Sequence, residues 1–376
     1  MIVPAHPRPS RRLLLELWVI GALVPLALLW LADVGKYDFS ALWIAGQQVI
    51  NGDASSVYNE AVAQQYADRF TRGIGKEFPY PPHALFFFVP FAVLPYLPGY
   101  IVWNIASAIF FWWAARPYIP KGIPSIVSVL TPAALLCIDF GQTGLLAGGL
   151  WLLAFRGKWP AVALLTFKPH IGMLSVLSIR GPSSFLRIVA LVIGLIAASI
   201  TIFGLAAWAG FVDRAFLHAE LVAGGGRWRH ASVSPAVGFG FWGWIPYAAG
   251  GAILLARRVN VFTAATATFL IAPFGFHYDM PVACLGLGLL LVTRWTEMPF
   301  WHRLPIGMGF ISPVIAVVGV WFVPPLLFWA LWAQVKYDTG TFDGRPSFEW
   351  LRPVMARLGA RPAPSSQRFA PESGNE

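Results

Sequence analysis

The chain has 376 residues, 57% of them hydrophobic and only 12% charged, and its 27 Lys and Arg against 17 Asp and Glu give a formal charge of +10. Soluble domains carry about a quarter of their residues as charges, so a mean hydropathy of +0.64 excludes a soluble catalytic domain on a single tether. The positive charges are dispersed over the ends of apolar stretches rather than gathered on one face, which excludes a nucleic-acid partner and marks membrane topology instead.

The first apolar stretch, 13–31, is long enough to cross a hydrocarbon layer of about 30 Å, with Glu16 as its one interior acid. Arg8, Arg11 and Arg12 precede it with no acid among them, which places the N-terminus in the cytoplasm. The stretch is too long for a cleaved signal and lacks a small-residue cleavage pattern, so it reads as an anchor. Segment 33–82 is then external, and its six acids against four bases suit that side. Within it, Asp38 stands as N-cap of a helix with Phe39, Leu42, Trp43, Gly46, Val49 and Ile50 on one face, a pattern that predicts a helix lying flat in the interface. Ser55 or Ser56 can cap a second amphipathic helix carrying Tyr58, Val62, Tyr66 and Phe70. The Pro-rich segment 78–82 returns the chain to the membrane.

Residues 83–115, interrupted by Pro95 and Pro98, look like two passes where the charge alternation asks for one. A re-entrant first half and an external Arg116 both satisfy it. Segment 159–179 has Lys168, Pro169 and His170 at its centre; a single span would bury a lysine at about 3 kcal/mol, so two half-helices against a cavity are expected. Further apolar windows cover 188–212, 237–256, 261–274, 280–292 and 306–323. They are continuous rather than alternating, which selects helices over a barrel. Basic residues near 116–121, 156–158, 180–187, 257–258 and 294–303 mark the cytoplasmic side, with external turns near 139–142, 168–170, 213–234, 277–279 and 324–325. The expectation is an all-α integral membrane bundle of roughly 10–12 spans. Residues 1–335 form one catalytic transmembrane domain, and 336–376 a cytoplasmic tail whose end is disordered. Cys137 and Cys284 lie in apolar runs and read as buried free thiols.

Five segments occur in the order YDFSALWIAGQQVINGDASSVY, FPYPPHALFFFVPFAVLP, DFGQTGLL, LLTFKPHIG and FGFHYDMP. Together, from about residue 33 to about residue 290, they resemble glycosyltransferase family 87, the polytopic GT-C-type mannosyltransferase-like proteins. The resemblance implies transfer of a hexose, often mannose, from a polyprenyl-phosphate sugar to a lipid or glycan acceptor at the external face of the cell membrane. It also implies inversion and an acidic base in the first external loop, which falls on Asp38. The cap and base roles are compatible, because a helix N-terminus favours the ionised carboxylate that a base requires.

The departing polyprenyl phosphate gains charge as its bond breaks and calls for fixed cations or donors. Lys168 leads, the other reading being an ion pair with Asp139 or Asp279; Arg227 and Arg229, in GGGRWRH, follow, although they also read as a solvated loop. Tyr80, Gln142, His277 and Asp279 complete the substrate-binding set. His277 and Asp279 have the spacing of two metal ligands without a third nearby, so neither a metal nor another cofactor is expected. A transporter or lipid flippase is the alternative; such proteins commonly carry matched broken helices in two halves, and no internal repeat is visible.

Overall fold

The computed structural model describes residues 10–31, 38–70, 78–223 and 232–337. Among these the chain is helical, and its one β contact is an isolated antiparallel bridge between Ser232 and Phe276. The helices are α1 (Arg11–Leu31), α2 (Phe39–Ile50), α3 (Glu60–Phe70), α4 (Leu85–Ala92), α5 (Tyr96–Ala115), α6 (Pro132–Phe140), α7 (Gly144–Phe155), α8 (Trp159–Leu164), α9 (Pro169–Gly172), α10 (Pro182–Phe203), α11 (Leu205–Ala223), α12 (Pro235–Arg257), α13 (Val261–Ile271), α14 (Pro281–Arg294), α15 (Phe300–Val318) and α16 (Val323–Tyr337). The fold is the expected all-α membrane bundle.

Three helices among the described residues are both long and apolar enough to cross a membrane, spanning Tyr96–Tyr118, Pro182–Phe203 and Pro235–Arg257. The sequence suggested more crossings partly because several apolar runs continue across breaks in the backbone; α1, one unbroken helix of 21 residues, keeps the length expected of the first span. α7 has 12 residues, about 18 Å at 1.5 Å per residue, and α4 has eight, about 12 Å. Neither reaches the roughly 30 Å of a hydrocarbon core alone, and the shortness of α4 favours the re-entrant reading of 83–115. The window 188–212 is likewise two helices, because Gly204 adopts φ 86° between α10 and α11. Leu186, Ile193 and Ile202 of α10 are more than 60% exposed, apolar surface on more than one side of the helix that lipid or a partner would cover.

Local chemistry fixes the element ends. Thr131 caps α6, its Oγ1 accepting from Ala134 N at 3.2 Å, and Pro132 occupies the first helical position, where a missing N–H costs nothing. Asn260 and Thr263 form a reciprocal capping box at α13. Asn59, rather than Ser55 or Ser56, caps α3, its Oδ1 accepting from Ala61 and Val62; Ser56 instead donates to the carbonyl of Asp53.

α2 corrects the interfacial-helix expectation. Nine of its residues are buried, Ser40 and Gln48 among them, because α4 packs on it at Gly46, where a Cβ would overlap Ala92. Small residues let these two backbones approach closely, so α2 is part of the bundle wall.

Helices α5, α7 and α14 pack side by side and run in the same direction. Their N-terminal ends meet around Gly141, Gly144 and Asp279: Trp103 Nε1 donates to the carbonyl of Gly141 at 3.0 Å, and Gly144 lies against the Tyr278 carbonyl. Their C-terminal ends lead into Arg116, Arg156 and Arg294. Near that second end Tyr118 donates to the carbonyl of Leu152 at 2.7 Å, and Arg180 lies 2.9 Å from where a Cβ on Gly157 would stand. The bundle is therefore polarised, with one end basic and the other built from the turns that the sequence assigned to the external side.

Candidate active site

Asp38 immediately precedes α2 and is 3% exposed. Its backbone is helical, φ −70° and ψ −29°, and its side chain makes no cap bond. A capping side chain needs the extended backbone of an N-cap residue, so the capping role expected for Asp38 is not realised. The carboxylate faces the turn between α6 and α7, where Gln142 Nε2 donates to Oδ2 at 2.9 Å.

That turn is held on several sides. Gly141 closes α6 at φ 65°, and a Cβ there would lie 2.7 Å from Phe39 Cβ, so both conformation and space demand glycine. The Tyr100 hydroxyl lies 2.8 and 2.9 Å from the carbonyls of Ile138 and Asp139. The Cys137 thiol donates to the carbonyl of Gln142 at 3.1 Å and accepts from Leu145 N at 3.3 Å. With its carbonyls engaged in this way, the turn presents Gln142 and Thr143 at fixed positions.

Lys168 is 2% exposed and stands at the break between α8 and α9, in the extended-side backbone that the following Pro169 imposes (φ −134°, ψ 70°). Its Nζ donates to Asp279 Oδ1 at 2.6 Å and to Thr143 Oγ1 at 3.1 Å, and lies 5.5 and 5.4 Å from the ring centroids of Tyr80 and Tyr278. The ion pair is thus the Asp279 alternative read from the sequence. Beyond these two contacts the ammonium also interacts with the Tyr80 hydroxyl.

Tyr80 connects the two halves. Its hydroxyl lies 3.3 Å from Gln142 Oε1 and 3.0 Å from Thr143 Oγ1. Donor capacity fixes the direction of every bond. Asp38 as a carboxylate only accepts, so Gln142 presents its NH₂ there and its carbonyl oxygen to Tyr80. The single Tyr80 proton then goes to Gln142. Lys168 only donates, so Thr143 accepts from it and passes its own proton to Tyr80. The result is one unidirectional chain, Lys168 to Thr143 to Tyr80 to Gln142 to Asp38, in which each donor polarises the next.

The structure therefore gathers Asp38, Tyr80, Gln142, Lys168 and Asp279 into one cluster. His277 stands apart: its ring is enclosed, edge-on to Phe140 with centroids 5.2 Å apart, its Nδ1 has no hydrogen-bond partner, and Asp279 bonds to Lys168 instead. Arg227 and Arg229 lie outside the described residues. No group of three or more His, Cys, Asp or Glu side chains among the described residues is placed to hold a metal ion. Two members were missed. Thr143 follows Gln142 in the same motif but carries no charge to draw attention. Tyr58, a buried residue between α2 and α3, donates its hydroxyl to the Tyr80 carbonyl at 2.6 Å, a contact between residues too distant in sequence to be read as a pattern.

Chemically, the cluster offers a buried carboxylate that can take a proton, and at the far end of the same chain a buried cation. Comparison with curated proteins and with solved structures finds no match. A family model does match, that of glycosyltransferase family 87, over residues 78–296. The matched stretch contains Tyr80, Gln142, Thr143, Lys168 and Asp279; Asp38 precedes it, so its role rests on geometry and on the motif around it. With more than half its length matched and its buried polar cluster at one end of an apolar helical bundle, the chain belongs to glycosyltransferase family 87, a family of membrane glycosyltransferases.

Proposed function

We propose that this glycosyltransferase moves a hexose, mannose in the first instance, from a polyprenyl-phosphate sugar to a lipid or glycan acceptor at the external face of the cell membrane. Asp38 acts as base and the anomeric configuration inverts. The observation that carries the reading is the buried Asp38 carboxylate, tied through Gln142, Tyr80 and Thr143 to Lys168.

In the transfer step Asp38 takes the proton of the acceptor hydroxyl while that oxygen attacks the anomeric carbon from the face opposite the phosphate. The bond between the anomeric carbon and the phosphate oxygen breaks, and its electron pair leaves with the polyprenyl phosphate. Gln142 holds Asp38 in one orientation through a bond to Oδ2, so the carboxylate need not reorganise as it takes the proton. Asp279 cancels much of the Lys168 charge, so Lys168 stabilises the leaving phosphate mainly through an N–H turned to it, and Asp279 keeps the ammonium protonated and aimed. Such a bond gains strength as charge builds on the phosphate, which is the condition for it to speed the reaction rather than only tighten binding. The external assignment is supported by the turns carrying Asp38, Gln142, Lys168 and Asp279, all on the side that the positive-inside rule leaves outside.

Inverted vesicles are unsuitable for the test because the site would face the lumen; right-side-out vesicles given radiolabelled polyprenyl-phosphate mannose are suitable. Label appearing in a glycolipid or glycan with inverted anomeric configuration supports the proposal. Movement of the labelled donor across the bilayer without any transfer would replace it with the flippase reading.

A further inference from the structure

We infer that a second, solvent-open cleft between the external segment and α11 binds the acceptor, and that the part it recognises is a neutral, hydroxyl-rich saccharide; this rests on the transferase reading above. The cleft has a volume of about 810 Å³ and is lined chiefly by Ser55, Asn59, Glu60, Gln64, Asp213 and Arg214, with Tyr58 as its inner wall. Its size falls in the ordinary range of ligand pockets.

The lining chooses among ligand classes. Two carboxylates, Glu60 and Asp213, face one guanidinium, and Arg214 is already engaged, its Nη2 3.3 Å from Glu60 Oε2 and its Nε donating to the Tyr58 carbonyl at 3.1 Å. A phosphate entering the cleft would meet an acidic balance, so the donor's head group is excluded. A prenyl or acyl chain would strip water from six polar side chains and satisfy none of them. Hydroxyl groups, which donate and accept, match this mixture: carboxylates accept from them, while Asn59, whose Oδ1 is taken by the α3 cap, keeps its NH₂ for donation.

The placement links the cleft to the transfer site. Tyr58 lines the cleft and donates its hydroxyl to the Tyr80 carbonyl at 2.6 Å, and Tyr80 belongs to the chain that ends at Asp38. Tyr58, Tyr80 and Gln142 in series therefore connect the cleft to Asp38. α11 closes the cleft tightly, since a Cβ on Gly210 would stand 3.2 Å from Tyr58 Cβ, and Arg214 fixes that contact.

The test uses the full chain purified in a sugar-free detergent, because alkyl maltosides would compete for the cleft. Acceptor probes are free mannobiose and a long-chain alkyl mannobioside, which distinguish a soluble glycan from the sugar head of a lipid. Asp213→Asn and Asn59→Asp each remove one or two hydrogen bonds to a saccharide, the second keeping the Oδ1 that caps α3, and Ala61→Trp fills the cleft from an exposed position without removing a polar group. Each is expected to raise the acceptor KM about five-fold or more, as the loss of roughly 1 kcal/mol per bond implies, leaving the donor KM and the melting temperature unchanged. Preference for the alkyl probe assigns the sugar head of a lipid, and equal use of both assigns a soluble glycan. Saturation-transfer NMR with free mannobiose reads occupancy without turnover. Wild-type transfer with unaltered acceptor KM in all three variants overturns the cleft. Binding of mannobiose lost in Ala61→Trp, in a protein that transfers nothing, overturns the transferase reading and keeps the cleft.

Discussion

Replacing Lys168 by alanine removes a partner from a pair in which neither member reaches water, the side chains being 3% and 0% exposed. The Asp279 carboxylate would lose its 2.6 Å bond at Oδ1 while Oδ2 already has no hydrogen-bond partner. Breaking such a pair from one side costs about 3–5 kcal/mol, mostly the penalty of the stranded charge. A melt in detergent should therefore fall by roughly 5 °C or more. Asp279→Asn strands the ammonium instead and should cost a similar amount, tempered by the Thr143 oxygen and the two tyrosine faces that still receive it. The double variant Lys168→Met with Asp279→Asn removes both charges and should recover most of the loss, with a coupling of about 2 kcal/mol or more between the sites. Stability alone does not decide the role of Lys168, because the pair is present in either case. Activity of the repaired double variant does: if Lys168 supplies an N–H to the leaving phosphate, the stable double variant stays inactive. A stable double variant with wild-type turnover would make Lys168 a purely structural residue, and two small, additive single effects would refute the burial argument itself.

Thr143→Val and Tyr80→Phe each cut the hydrogen-bond chain at one link and should lower turnover by about ten-fold while leaving the fold intact, each removing a bond of about 1 kcal/mol and the polarisation behind it; wild-type turnover in both would mean that the chain has no part in catalysis. Gly144→Ala places a methyl group on the Tyr278 carbonyl oxygen, so it should displace the turn bearing Asp279 and lower both stability, by about 1–3 kcal/mol, and activity; a melt equal to wild type would contradict the close approach of α7 to that turn. A cysteine introduced at Gln65, on the exposed side of α3, should react with an impermeant reagent in intact cells, against a low background because Cys137 and Cys284 are both buried. Labelling only after the membrane is opened would invert the topology.

How far the sequence could be read depended on whether a residue's constraint was local. The break at Lys168 is legible because a lysine before proline in an apolar run is untenable as a straight helix, and its need for an anion points to Asp139 or Asp279, the second of which it bonds at 2.6 Å. The burial of α2 was not legible. Its pattern of Phe39, Leu42 and Trp43 describes one apolar face, but Ala41, Ala45 and Gly46 are small enough to be enclosed on the others, and a helix buried all round has no amphipathic signature. The break at Gly204 escaped for the opposite reason, since apolar residues continue on both sides and only the positive φ separates α10 from α11. The bond between Gln142 and Asp38 depends on the way α5 and α6 fold the turn back over α2. Nothing in the spacing of either motif encodes that contact, although both residues stood in motifs already singled out.

The central claim is that Asp38 takes the acceptor's proton, and Asp38→Asn tests it most directly. The amide oxygen can still accept from Gln142 Nε2, so the bond now 2.9 Å long survives while proton acceptance does not. In right-side-out vesicles with radiolabelled polyprenyl-phosphate mannose and a saturating acceptor, the account predicts normal insertion, an unchanged melt and transfer reduced by about 100-fold or more. Transfer at the wild-type rate by a correctly inserted Asp38→Asn protein would contradict it.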